Sequence, residues 1–168
     1  MEIERKFILK ELPGDLDMYD YYHIEQGYIS TEPVIRIRHK EDSVTGDRYI
    51  LTVKSGGLMV HEEYEIDMEK DSYTRLIAKT EGNIISKTRY LIPLDDGLTM
   101  ELDVFDGAFA GLVLAEIEFP DEKTARDYIP PEFVAEDVTE DGRFHNSRMS
   151  EMTDREILDL TIMTHQGE

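Results

Sequence analysis

Cysteine is absent from this 168-residue chain. That absence excludes disulfides, thiolate nucleophiles and cysteine-ligated zinc, and it fits a reducing compartment, with the cytoplasm as the default location. Long apolar runs are missing too. Nothing in the sequence approaches the ~20 consecutive apolar residues of a membrane-spanning helix, and the opening Met1-Glu2-Ile3-Glu4-Arg5-Lys6 lacks the apolar core of a signal peptide. The sequence therefore predicts no membrane association. Positive charge is scarce: 18 Lys and Arg stand against 38 Asp and Glu, for a formal net charge of -20. Such a field repels nucleic acid and anionic lipid at long range, so neither is an expected partner. A small polyanion looks disfavoured on the same ground. Salt, however, screens exposed charges beyond roughly 8 Å, so where the few basic residues sit matters more than their number.

What is present is enough for a folded core: 40% of residues are hydrophobic, and the length predicts one domain over residues 1–168. Period-two alternation marks eight candidate strands, at about 2–9, 21–30, 34–41, 48–54, 61–68, 84–92, 98–105 and 112–119. The turns between them, such as Thr45-Gly46-Asp47 and Asp95-Asp96-Gly97, are mostly too short for parallel crossovers, so antiparallel neighbours are expected. Helices are expected from Asp71-Ser72-Tyr73 to about Thr80, stopped by Gly82; from Asp121 to before Pro130; and from Met149 to Met163. The fold class is α+β, an antiparallel barrel with a few flanking helices.

A half-buried strand usually carries a mixed polar set on its second face. Here that face is sorted by charge. Side chains alternate along a strand, so Glu2, Glu4 and Lys6 share a face opposite Ile3 and Phe7. Arg36, Arg38 and Lys40 oppose Ile35 and Ile37; Thr52 and Lys54 oppose Leu51 and Val53; Glu63 and Glu65 oppose Tyr64 and Ile66. Lys87 and Arg89 form a further pair, as do Glu101 with Asp103 and Glu116 with Glu118. Two carboxylates at i and i+2 lie ~6.6 Å apart, a repulsion of about 2.5 kcal/mol at an effective dielectric of 20. In an open sheet water offsets this. In a closed eight-stranded barrel, whose interior holds one small ligand, divalent cations and the opposing Lys and Arg rows must do so. All-oxygen acidic clusters suit Mg²⁺ or Mn²⁺, whereas the five histidines fall at no ligand spacing and are read as surface or hydrogen-bonding residues. Carboxylate-held metal facing Arg and Lys rows is a way to grip a polyphosphate, and a triphosphate is the expected guest.

Glu2-Ile3-Glu4-Arg5-Lys6 resembles the N-terminal E-x-E-x-K strand of the triphosphate tunnel metalloenzymes, or CYTH superfamily. The likeness continues through Arg36-Ile37-Arg38, Thr52-Val53-Lys54, Glu63-Tyr64-Glu65, Lys87-Thr88-Arg89, Glu101-Leu102-Asp103 and Glu116-Ile117-Glu118. Within the superfamily the chain looks most like the short bacterial inorganic triphosphatases, through Gln26-Gly27-Tyr28-Ile29 and the stretch from Asp137 to Ser147. The resemblance implies a metal-dependent triphosphatase with Mg²⁺ or Mn²⁺. It implies that Glu4, Glu116 and Glu118 hold the metal, that Arg36, Arg38, Lys54, Lys87 and Arg89 bind phosphates, and that Glu63, Glu65 or Asp103 serve a second metal or position water. Glu2 and Lys6, on the same strand face as Glu4, complete the metal and phosphate sets. Tyr28 and Lys54 resemble a pair that activates water in some members. Class IV adenylyl cyclase, thiamine triphosphatase and a non-catalytic polyphosphate-binding module are the alternatives. A homodimer through the outward apolar face is a further expectation.

Overall fold

The structure, a computed structural model, describes residues 1–165, the side chain of His165 excepted, so the reading of that histidine lies outside the described residues. Ten strands are present: β1 Glu2–Leu9, β2 Asp20–Thr31, β3 Val34–Glu41, β4 Arg48–Lys54, β5 Val60–His61, β6 Glu63–Met68, β7 Glu81–Pro93, β8 Thr99–Asp106, β9 Val113–Glu118 and β10 Val134–Asp137. The helices are α1 Lys70–Ile77, α2 Glu122–Asp127, α3 Asn146–Met149 and α4 Asp154–His165. All strand pairs are antiparallel, in the order β10-β1-β9-β8-β7-β2-β3-β4-β6, with β5 on β1.

The sheet is nearly closed, and the way it closes explains why ten strands stand where eight were expected. The run expected as one strand over 61–68 divides at Glu62. Before it, β5 pairs with the start of β1, Glu2 opposite His61 and Ile3 opposite Val60; after it, β6 pairs with β4, Lys54 opposite Glu63. Ser55 holds the joint, its N–H donating to the Glu62 carbonyl at 2.9 Å and its hydroxyl accepting from the Glu62 N–H at 2.7 Å. One kinked segment thus joins the two ends of the sheet. The rest of that edge of β1 is taken by β10, Phe7 opposite Asp137.

The helices correct the sequence reading in two places. α1 begins at Lys70 with Glu69 as an N-cap that makes no side-chain cap bond, and it ends at Ile77, so Gly82 does not stop it. Gly82 lies in β7 at φ +77, where an added Cβ would come 2.1 Å from the Ser150 carbonyl oxygen. Only glycine combines that backbone with so close an approach. Gly82→Ala should cost about 1–3 kcal/mol, read as a lower thermal unfolding midpoint; an unchanged midpoint contradicts the close approach. The helix expected over 149–163 is interrupted, because Asn83 captures its carbonyls. The Asn83 N–H donates to Ser150 O at 2.7 Å, and the side-chain amide donates to Met149 O and Met152 O. α4 restarts with a reciprocal cap between Thr153 and Glu156, each side chain accepting from the other's N–H. α2 starts as expected, with Asp121 accepting from the Thr124 N–H at 2.7 Å.

Two apolar clusters frame the barrel. Outside β1, β8 and β9, Ile3, Phe7, Met100, Leu102 and Ile117 pack with Ala125 of α2. Inside, toward one end, the inward positions change from charged to apolar: Ile8, Ile85, Phe105 and Leu114 pack against Phe144, Met149, Ile157 and Leu160 from the C-terminal segment. Burying those four barrel side chains contributes roughly 6–12 kcal/mol, which helps offset the desolvated charges farther along the same interior. α1 covers the outer face of β2, β3 and β4, with Tyr73 packed on His39 and Tyr49 and donating its hydroxyl to Glu25 at 2.8 Å. Ile37 is buried on that face, whereas Tyr64 and Ile66 of β6 are exposed. No helix among the described residues is long and apolar enough to cross a membrane.

Candidate active site

The charged half of the interior encloses a cavity of about 480 Å³. Seven of the chain's 18 basic residues line it, but only seven of its 38 acidic ones. The cavity is therefore close to neutral inside a chain of net charge -20, which removes the objection that net charge raised against an anionic guest.

One wall comes from β1 and β9. Lys6 lies opposite Glu116 in the ladder, and its ammonium is 3.2 Å from the Glu116 carboxylate, while donating to the Phe144 carbonyl at 2.8 Å. Glu2 and Glu4 point to the same wall and share the Lys54 ammonium, at 3.2 and 3.7 Å. Burial, and then the charge of Glu116, raises the Glu4 carboxyl to about 8. Burial also acts on Glu2, but hydrogen bonds with His61 and Glu63 and the Lys54 charge outweigh it and hold Glu2 below the usual carboxylate range. Glu63, raised to about 7 by burial and by its neighbour Glu2, reaches Arg36 at 3.4 Å.

The opposing wall is cationic. Arg36 of β3 donates to Thr52 at 3.2 Å. Arg38, deep in the wall, donates its Nε to the Gln26 side-chain oxygen at 2.7 Å and makes no carboxylate ion pair among the described residues. Burial, then the charges of Arg36 and Arg89, lowers its guanidinium to about 9. Lys87, fully buried, donates to Asp103 at 2.8 Å and to Asn146 at 2.7 Å; burial pulls it down to about 7 despite Asp103. Arg89 donates twice to Asp103, at 2.7 and 2.9 Å, and once to Glu101 at 2.7 Å. Tyr28 lines the cavity with its hydroxyl 3.3 Å from the Gln26 amide nitrogen.

The residues read from the sequence as a site thus divide. Glu2, Glu4, Lys6, Tyr28, Arg36, Arg38, Lys54, Glu63, Lys87, Arg89 and Glu116 all line one cavity. Asp103 is buried behind it with both oxygens engaged by Lys87 and Arg89. Glu65 and Glu118 are exposed and lie outside the cavity lining. Tyr28 and Lys54 face the same space with different partners, Gln26 for one and the Glu2–Glu4 pair for the other. Gln26, His61, His145 and Asn146 are not among the site residues expected from the sequence, the two histidines being read there as surface or hydrogen-bonding residues. Gln26 was legible as a polar residue at an inward position of β2. Asn146, which accepts from both Lys87 and Gln26, lies in the family-like stretch from Asp137 to Ser147, but no alternation marks it as inward because the segment that brings it in is irregular.

Against known proteins, the chain is 39% identical over 151 residues to the inorganic triphosphatase of Nitrosomonas europaea, covering 89% of this chain and 96% of that one. The chain belongs to the inorganic triphosphatase family, within the CYTH superfamily. The inorganic triphosphatase of Acetivibrio thermocellus is 35% identical, over 88% of this chain and 92% of its own. A crystal structure of an inorganic triphosphatase superposes with a TM-score of 0.67 at 36% identity, covering 91% of this chain and 96% of that one. A Hippeastrum protein with a dominant triphosphatase activity shares the fold at 16% identity and a TM-score of 0.52, over 75% of this chain and 83% of its own. No protein-family model matches the chain.

Glu2, Glu4 and Glu116 fit a hard divalent ion: they are carboxylates on one wall, and Glu4 keeps its proton only because burial and Glu116 force it to. At pH 7 an ion entering there must displace that proton, so binding should release about one proton per ion and tighten as pH rises from 6 to 8. Calorimetry in buffers of different ionisation heat measures this. Binding with no proton release at pH 7 would mean that Glu4 is already ionised.

Proposed function

We propose that this chain hydrolyses a triphosphate, with inorganic tripolyphosphate cleaved to pyrophosphate and phosphate, in a reaction that depends on Mg²⁺ or Mn²⁺. The observation that carries the reading is the opposition of the Glu2–Glu4–Glu116 wall to the Arg36–Arg38–Lys87–Arg89 wall across one cavity of about 480 Å³. The two bacterial relatives, both inorganic triphosphatases, support it.

The bound ion would neutralise phosphate oxygens and polarise the scissile phosphorus. This chain's own residues do the rest. Arg38 has hydrogen bonds to spare for phosphate, since among the described residues its Nε alone is committed, to Gln26. Arg36 and Arg89 are the cations that act on Arg38, Lys54 stands over the Glu2–Glu4 pair, and Lys87 and Arg89 line the cavity with their charge balanced by Asp103 and Glu101. Fixed cations around a polyphosphate hold the terminal phosphorus in line for attack and stabilise charge that moves onto the departing oxygen. Of the remaining acidic candidates, Glu63 is the one whose position on the cavity supports a second ion or an oriented water. Water activation falls to Tyr28 with Lys54 as its charged companion across the substrate. Tyr28→Phe removes only the hydroxyl, so kcat should fall by roughly 10²-fold or more with KM little changed; a kcat within a factor of three rules the hydroxyl out.

The test of the whole reading is a phosphate-release panel over tripolyphosphate, pyrophosphate, thiamine triphosphate and ATP, each with Mg²⁺ and with Mn²⁺. Fastest turnover of tripolyphosphate supports it. Cyclic AMP from ATP would select a cyclase, and tight binding without product would select a binding module.

A further inference from the structure

We propose that His61 supplies an imidazole nitrogen to the ion held by Glu2 and Glu4, so that the centre is a mixed nitrogen–oxygen site that favours first-row transition ions such as Mn²⁺ over Mg²⁺. The inference rests on the metal-dependent reading above and goes beyond its carboxylates.

His61 lies 59 residues from Glu2 in sequence but directly opposite it in the β1–β5 ladder, so the two side chains share a face. The ring is 3% exposed. Its Nε2 is 2.5 Å from Glu2 Oε1 and 3.6 Å from Glu4 Oε1, and one donor atom from each of the three residues lies within 4.8 Å of the others. Donors about 2.1 Å from a common centre stand roughly 3 Å apart when adjacent and 4.2 Å when opposite. The three groups are spaced as ligands of one ion, after a shift of about half an ångström between His61 and Glu2.

Two further observations point the same way. The Nδ1 of His61 is buried and has no hydrogen-bond partner, so it can carry the ring's proton while Nε2 gives up the proton it shares with Glu2 and turns its lone pair to the ion. The Lys54 ammonium already places positive charge on the same two oxygens, at 3.2 and 3.7 Å. On its flexible four-carbon stem it can move to a phosphate as the ion takes that place. Mg²⁺ binds oxygen and keeps its waters, whereas an imidazole among carboxylates raises affinity along the transition series. No spacing in the sequence announces this ligand, because the strand pairing that creates it is two residues long.

The experiment is electron spin-echo modulation of Mn²⁺ bound to the full chain, with natural-abundance and ¹⁵N-histidine protein compared. The expected result is modulation from a directly bound imidazole nitrogen that changes on labelling and disappears in His61→Gln. Mn²⁺ affinity should also fall roughly 10-fold or more in that variant, with Mg²⁺ affinity changed by less than threefold. His145 is the one histidine that lines the cavity itself. Modulation that survives His145→Gln assigns the nitrogen to His61 even where His61→Gln does not fold. Bound Mn²⁺ without nitrogen modulation, or modulation lost in His145→Gln alone, overturns the proposal and leaves the carboxylate site standing. Mn²⁺ that stays fully hydrated beside the wild-type chain overturns both.

Discussion

Glu116→Gln should abolish measurable phosphate release, lowering kcat/KM by roughly 10³-fold or more. Glu116 is tied to several parts of the cavity at once. Its carboxylate is 3.2 Å from Lys6 and 4.0 Å from Arg89, it lies opposite Glu101 in the β8–β9 ladder, and its charge crowds Glu4. Burial works against its ionisation, but Lys6, Arg89, Lys87 and Lys54 together hold it well below the usual carboxylate range. The amide keeps the shape and removes the charge, so it takes away an ion ligand and releases Lys6 and Arg89 from their counter-charge in one step. Steady-state kinetics on tripolyphosphate at saturating Mg²⁺, with circular dichroism to show an unchanged fold, reads the effect. An activity within tenfold of wild type would show that Glu116 balances charge without holding the ion.

Asp103→Asn should act on stability first. Asp103 is 2% exposed and accepts three hydrogen bonds, one from Lys87 and two from Arg89. Arg89 and Lys87 offset the cost of burial and keep its carboxyl below the usual range. Removing that charge leaves two cations desolvated and short of an anion, a loss of about 3–5 kcal/mol for a buried pair broken from one side. In a chain of this length the unfolding midpoint should drop by about 10 °C. Tripolyphosphate should restore more of that midpoint in the variant than it adds to wild type, because it returns negative charge to the same two cations. Glu65→Gln and Glu118→Gln, at exposed positions outside the cavity, should leave the midpoint where it is. A midpoint unmoved in Asp103→Asn would mean that Lys87 and Arg89 find another counter-charge.

These two residues also show where sequence reasoning reached its limit. Alternation assigned Glu116 and Asp103 to inward faces of neighbouring strands, and both do point inward. Whether an inward carboxylate meets the cavity or a cation behind it depends on the neighbour across the ladder. Arg89 lies opposite Asp103, whereas Lys6 and Glu101 flank Glu116. Glu65 and Glu118 share their strands' inward parity with Glu63 and Glu116, but each lies one step farther along, beyond the region the cavity occupies. Strand parity is a local property, legible from Ile and Glu in alternation; depth along a tilted barrel is a property of the assembled ring. The same distinction explains the helices. The Asp121 cap was readable because its partner is three residues away, but the break before α4 was not, because Asn83 reaches it from 66 and 69 residues upstream.

The kinked segment that joins the sheet's two ends has a mechanical consequence. The other strand pairings of this barrel run over three to eight facing residue pairs, but β1 meets β5 through only two. A cooperagelike vessel gives way at its shortest joint, so slow breathing should begin there, and amide protons around His61 should exchange with solvent before those of β8. An ion bridging the two sides would act as a rivet, which makes the same atoms that prepare the chemistry responsible for keeping the wall shut.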